Sequence, residues 1–171
     1  MKINAKVEYT MSKVVLSLLV DNQAGVLSRI AGLFSRRGYN IDSLTVGETE
    51  NPDHSRMTVV TSGEPEVLEQ IEKQLGKLID VIEIKVLPDD QSVCRELILL
   101  KVAATAEERQ QIIAIADIFR AKIVDVAVDS IMIELTGNET KLAAFIKLLE
   151  KFHIKELART GITGLSRGCM N

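Results

Sequence analysis

The sequence predicts an α+β protein made of two βαββαβ units in tandem. Three observations carry this. Strand and helix patterns alternate in that order and then do so again after a linker of turn residues at Pro88, Asp89 and Asp90. The 171 residues accommodate two small domains of about 75–80 residues each. The segment MTVVTSG (57–63) precedes a helical pattern much as MIELTG (132–137) precedes another.

The first element is a nearly continuous apolar run over residues 13–20, rich in valine and leucine, which fits a strand buried on both faces or nearly so. A helix follows at once: Val26, Leu27, Ile30, Leu33 and Phe34 share one side, Arg29, Arg36 and Arg37 lie away from it, and Gly38 sits where a left-handed C-cap belongs. Residues 41–47 and 56–61 read as two strands of a hairpin, joined by a loop in which Asn51, Pro52 and Asp53 are turn formers. Residues 64–75 return to helical spacing, with Val67, Leu68, Ile71 and Leu75 on one stripe and Pro65 in the first turn. A strand over 78–87 completes the split βαβ order of ferredoxin-like folds.

The second half repeats this order. Strands are predicted at 97–102, 123–128, 131–136 and 153–158, and helices at 107–120, with Ile112, Ile113, Ala116 and Phe119 inward, and at 141–151. The resulting domains are a tail at 1–12, a first domain at 13–88 and a second at 89–171. What does not repeat is the loop after the first strand. The first half has DNQAG, whereas the second has AATAEE, without glycine or asparagine.

That loop is the candidate site. Asp21, Asn22 and Gln23 put short polar side chains at a strand end, and Gly25 relaxes the backbone where the helix begins. The first N–H groups of a helix lack internal partners and sit at the positive end of its dipole, so the corner suits a small anion such as a carboxylate. The same residues also suit a simple N-cap. The absence of the loop from the second half favours a site. The tail GITGLSRG (161–168) admits two readings, a phosphate cradle or a turn that closes the last strand and docks on a partner.

Composition excludes several function classes. A formal charge of −3, from 21 basic and 24 acidic residues, gives no electrostatic bias toward nucleic acid or an anionic membrane. RNA recognition on such a sheet stacks bases on aromatic residues, and the strands LSLLV and MTVV have none. Cys94 and Cys169 fit no metal or disulfide spacing, no stretch approaches the ~18 apolar residues of a membrane span, and no signal-peptide core opens the chain, which points to the cytoplasm. His54 and His153 pair with no cysteine or acid, and no HExxH, GxSxG or phosphate-loop motif occurs, so no active site is expected.

The stretch VVLSLLVDNQAGVLSRIAGLFSRRGYNIDSLTV resembles the opening of the regulatory small subunits of acetolactate synthase, whose N-terminal part is an ACT domain. The likeness continues through SRMTVV, VLEQIEKQLGKLIDVIEI, RELILLKV, IFRAKIVDV and RTGITGLSRG, leaving only the first dozen residues outside it. The resemblance implies a non-catalytic subunit that forms a homodimer with side-by-side sheets. It activates a catalytic subunit and makes branched-chain amino acid biosynthesis sensitive to valine. It implies no cofactor in this chain, with thiamine diphosphate, magnesium and FAD confined to the catalytic subunit. Carried over by residue, the family's feedback positions fall on Asn22, Gly25 and Asn40, and Val26 and Ile30 would help to line the pocket for the isopropyl group. Two rivals remain at this level, a stand-alone amino-acid sensor acting on another target and an independent small-molecule enzyme.

Overall fold

A computed structural model describes residues 12–168, so the tail expected at 1–12 falls outside the described residues save for Ser12, as does Cys169. The described chain divides into two compact units. The first runs to Ser92 and takes in the segment from Gly164 onward; the second is Val93–Thr163.

In the first unit, β1 (Ser12–Asp21) leads into α1 (Val26–Arg36), followed by β2 (Ser43–Glu48), β3 (His54–Gly63), α2 (Pro65–Leu75) and β4 (Val81–Val86). The sheet order is β2-β3-β1-β4, with every neighbour antiparallel. This is the ferredoxin-like order. Leu16, Leu18 and Val20 of β1, with Met57 and Val59 of β3, face Val26, Ile30, Leu33 and Phe34 of α1 and Ile71 and Leu75 of α2. β1 is buried on both faces at its centre because Ser17, paired with Thr58, is also shielded from solvent. Gly164 N–H donates to Thr58 Oγ1 on that second face at 3.3 Å.

The second unit has β5 (Ser92–Ala103), α3 (Arg109–Phe119), β6 (Lys122–Val126), β7 (Ser130–Gly137), α4 (Glu139–Leu149), a 3₁₀ turn and β8 (Ile154–Arg159). These strands are ordered β6-β7-β5-β8. Their core is Ile98, Leu100, Val102, Ile112, Ala116, Ile131, Ile133, Leu135, Leu142, Phe145 and Leu149. The repetition reaches local irregularities. A register shift between Leu19 and Val20 in the β1–β4 pair recurs between Lys101 and Val102 in the β5–β8 pair.

Four details differ from the sequence reading. Ile113 points outward, and Ile115 packs against the core in its place, because the helix turns its apolar face by one position. β5 begins at Ser92, well before the expected 97; its polar residue Glu96 is buried and paired with Arg159 at 3.1 Å, so polarity hid a strand. The second strand, expected from residue 41, begins at Ser43, so Asn40 lies ahead of β2 in the connection from α1. The tail is an added strand, β9 (Thr163–Ser166), and from Gly164 it belongs with the first unit, where Arg167 N–H also donates to Gln91 O at 2.8 Å.

Candidate ligand corner at the start of the first helix

The corner is held from three directions. Where β1 ends, Asp21 N–H donates to Asp80 O at 3.0 Å, and Asn22 N–H donates to Asp53 O at 2.7 Å. The Asn22 amide then stitches the loop to the β2–β3 turn: Nδ2 donates to Pro52 O at 2.9 Å, and Oδ1 accepts from Ser55 Oγ at 3.1 Å. Ser55 is buried, so its hydroxyl needs that partner. Gly25 follows with φ 89°, a left-handed conformation that suits glycine, and its carbonyl opens the helical ladder by accepting Arg29 N–H at 2.9 Å.

No side chain caps α1, and no acidic residue stands in its first turn. The positive end of the helix dipole is therefore not neutralised from within the chain. The side-chain N-cap reading of Asp21, Asn22 and Gln23 gives way to a different arrangement, in which Asn22 secures the neighbouring turn and the Gln23 carbonyl, not a side chain, accepts Val26 N–H at 3.3 Å.

The corresponding corner of the second unit is closed. Thr105 N–H donates to Glu108 Oε2 at 3.0 Å, and Glu108 N–H donates to Thr105 Oγ1 at 3.3 Å, a reciprocal capping box. The backbone N–H of Thr105, followed by its hydroxyl, holds the Glu108 carboxyl below its ordinary range. Arg109 Nη2 donates to Ala127 O at 2.7 Å and also to Val128 O, doing for the β6–β7 turn what Asn22 does for the β2–β3 turn.

The residues singled out in the sequence are distributed unevenly. Asn22 and Gly25 share the exposed corner. Val26 and Ile30 are 3% and 1% exposed and packed in the core beneath the corner, and the neighbouring Leu27 is exposed at 46%. Asn40 lies past the opposite end of α1, roughly 16 Å of helix away. Its Nδ2 donates to Asp42 Oδ1 at 2.6 Å, and its carbonyl accepts from Thr61 Oγ1 at 2.6 Å. One chain does not bring Asn40 to Asn22.

Sequence reasoning missed the charged pair at this corner. Arg29 Nε and Nη2 donate to Asp80 Oδ2 and Oδ1 at 2.6 and 2.8 Å. Asp80 is 8% exposed, and a carboxylate so buried requires a partner of this kind. Its hydrogen bonds push the Arg29 guanidinium above its ordinary value, so Arg29 stays charged. A signal was available: Asp80 interrupts the apolar run from Leu78 to Ile82.

Elsewhere, His54 Nδ1 lies 3.3 Å from Asn51 Nδ2 in the hairpin turn, and His153 is exposed. Among the described residues no three His, Cys, Asp or Glu side chains are grouped to hold a metal, and no helix is long and apolar enough to cross a membrane.

Comparison with known proteins extends over nearly the whole chain. Residues 16–83 match the family model described as an AHAS small subunit-like ACT domain, and residues 95–168 match that of the small subunit of acetolactate synthase. The chain is 53% identical over 155 residues to a probable acetolactate synthase small subunit of Methanothermobacter thermautotrophicus, covering 90% of this chain and 92% of that protein. It is 54% identical over 153 residues to the acetolactate synthase small subunit of Mycobacterium bovis, covering 90% and 91%. The crystal structure of the acetolactate synthase small subunit from Thermotoga maritima superposes with a TM-score of 0.86 at 41% identity, covering 93% of this chain and 99% of that one.

Proposed function

This chain belongs to the acetolactate synthase small-subunit family, with an ACT domain as its first unit, and from that premise we propose that it activates the catalytic subunit and confers feedback inhibition by valine. It acts as a homodimer and not as an enzyme on its own. Thiamine diphosphate, magnesium and FAD reside in the catalytic subunit, and valine is the allosteric effector of this chain. Its setting is the cytoplasm, where it serves the synthesis of valine, leucine and isoleucine.

The observation that carries the effector reading is the open start of α1. The scaffold occurs twice, and the second copy places a Thr105–Glu108 capping box just ahead of its helix, while in the first no side chain caps the helix and Val26 N–H turns back to Gln23 O at 3.3 Å. A valine carboxylate fits the N–H groups at that start that no side chain caps, beyond Val26 N–H, which donates to Gln23 O. The Asn22 amide is half committed: Oδ1 keeps a second lone pair, which can accept from the ammonium while Ser55 retains the first. Asn40 joins from a second copy across a two-fold interface, since its own chain holds it at the far end of α1. A ligand shared by two chains strengthens their association by linkage. It inhibits only by binding the inhibited arrangement more tightly than the active one.

Reconstitution with the catalytic subunit tests this reading. The chain raises synthase activity, and valine lowers it again. Gly25→Asp and Asn22→Ala lose valine inhibition and keep activation, the first by placing a negative charge where the carboxylate sits. Wild-type valine affinity in Gly25→Asp, measured by calorimetry, would place the effector elsewhere.

A further inference from the structure

The Arg29–Asp80 pair has a feature that stability alone does not require. Asp80 uses Nε and Nη2 of the guanidinium, the two nitrogens of one edge. The remaining nitrogen, Nη1, has no hydrogen-bond partner among the described residues. It faces Gly25: a Cβ built on that residue would stand 3.2 Å from Nη1 and 3.9 Å from the guanidinium carbon. The side chain is half exposed, at 49%, whereas its carboxylate partner is nearly sealed. One edge of the arginine is thus fixed by a buried acid, and the other edge lies at the mouth of the corner.

We propose that Arg29 is a specificity-determining residue of the effector site, its Nη1 donating a charge-assisted hydrogen bond to the ligand's α-carboxylate, and that Asp80 is its positioning residue. This rests on the effector reading above. The guanidinium is planar, and a bidentate partner on one edge fixes the direction of the other three N–H groups, two of them on Nη1. The α1 N–H groups and Nη1 then converge on a carboxylate. The neutral amide of the same amino acid offers one weaker acceptor and brings an NH₂ against these donors. The corner therefore selects free α-amino acids over their amides. Gly25 suits the corner by its left-handed backbone, and a side chain there would have to push Nη1 aside by a few tenths of an ångström.

The test compares L-valine with L-valinamide by calorimetry on the full chain. The wild-type chain favours valine by tenfold or more, an order set by one charge-assisted hydrogen bond. Arg29→Gln lowers that ratio by about tenfold and leaves valinamide affinity within about twofold. Arg29→Lys, which keeps the charge but cannot span Asp80 with two donors, gives an intermediate ratio. Should Arg29→Gln fail to fold because Asp80 is stranded, the double variant Arg29→Gln/Asp80→Asn removes the buried charge together with its partner, and the same loss of ratio is expected. A ratio equal to wild type in the folded variant overturns the role of Arg29 and leaves the effector reading standing. A wild-type chain that binds neither compound overturns both.

Discussion

Replacing Asn22 with alanine tests whether the corner is held as described, independently of any ligand. The substitution removes two hydrogen bonds with unequal consequences. Pro52 is exposed, so its carbonyl exchanges the amide for water at little cost. Ser55 is 6% exposed, so its hydroxyl loses its partner, at a cost of about 1–2 kcal/mol. The midpoint of thermal unfolding should fall by about 3–6 °C for a chain of this size. Ser55→Ala by contrast strands only the exposed Asn22 amide, and costs about 0.5 kcal/mol. In the double variant no buried hydroxyl remains to be orphaned, so the two substitutions should couple by about 1 kcal/mol in a denaturant cycle. Strict additivity would refute the Asn22–Ser55 bond. The same pair also separates two origins of lost valine inhibition. If Asn22 touches the ligand, Ser55→Ala keeps inhibition; if Asn22 only holds the β2–β3 turn, Ser55→Ala weakens it too.

Three further substitutions probe the rest of the chain. The lowered Glu108 carboxyl contributes stability above its ordinary value of 4.5, and that contribution is lost as pH falls through the lower folded value. Thermal midpoints followed from about pH 6 to 3 should therefore fall more steeply in wild type than in Glu108→Gln. Arg120 ends α3 with φ 56°, where glycine avoids the Cβ penalty, so Arg120→Gly should stabilise the protein by about 0.5–1 kcal/mol in denaturant titration. Phe145 is fully buried with its ring 5.2 Å from that of Phe119, and Phe145→Ala should cost about 3–5 kcal/mol, seen as faster amide exchange across β5 and β7.

The order of elements was legible in the sequence because each buries one face, and periodicity reports burial. The run over 13–20 and the stripe Val26, Ile30, Leu33 are directly visible, and the structure buries them. Legibility failed where polar groups are satisfied by distant partners. The start of β5 was hidden because Glu96 is buried against Arg159, 63 positions away. The Arg29–Asp80 pair spans 51 positions, and the Asn22–Ser55 bond spans 33. The capping box at Thr105 and Glu108 has a local signature and was open to reading, yet a segment of mixed polar residues obscured it. Val26 and Ile30 were legible as part of an apolar helical face, and the structure packs them in the first unit's core.

The two units give the same backbone problem two solutions. At matching places in the repeat, Val20 and Val102 sit at the strand bulges, Ile30 and Ile112 are buried beneath the helices, and Gly38 and Arg120 adopt positive φ. Each unit must also tie the helix start to the turn of its hairpin. The second does so with Arg109, reaching the carbonyls of Ala127 and Val128 from within the helix, and pairs Glu108 with Thr105 just ahead of the helix. The first ties the turn from the loop, through Asn22, and carries Val26 and Leu27 at the opening of α1, neither of which can cap a backbone N–H. No side chain caps the start of α1, where only Val26 N–H turns back to Gln23 O, and it lies beside a fixed guanidinium edge. An arrangement serving stability alone would have capped that helix, because a suitable cap is worth about 1 kcal/mol and the second unit shows that the scaffold accepts one. A helix start with no side-chain cap in one copy, and a capping box just ahead of the helix in the other, is the pattern expected when a partner for the first arrives from solution.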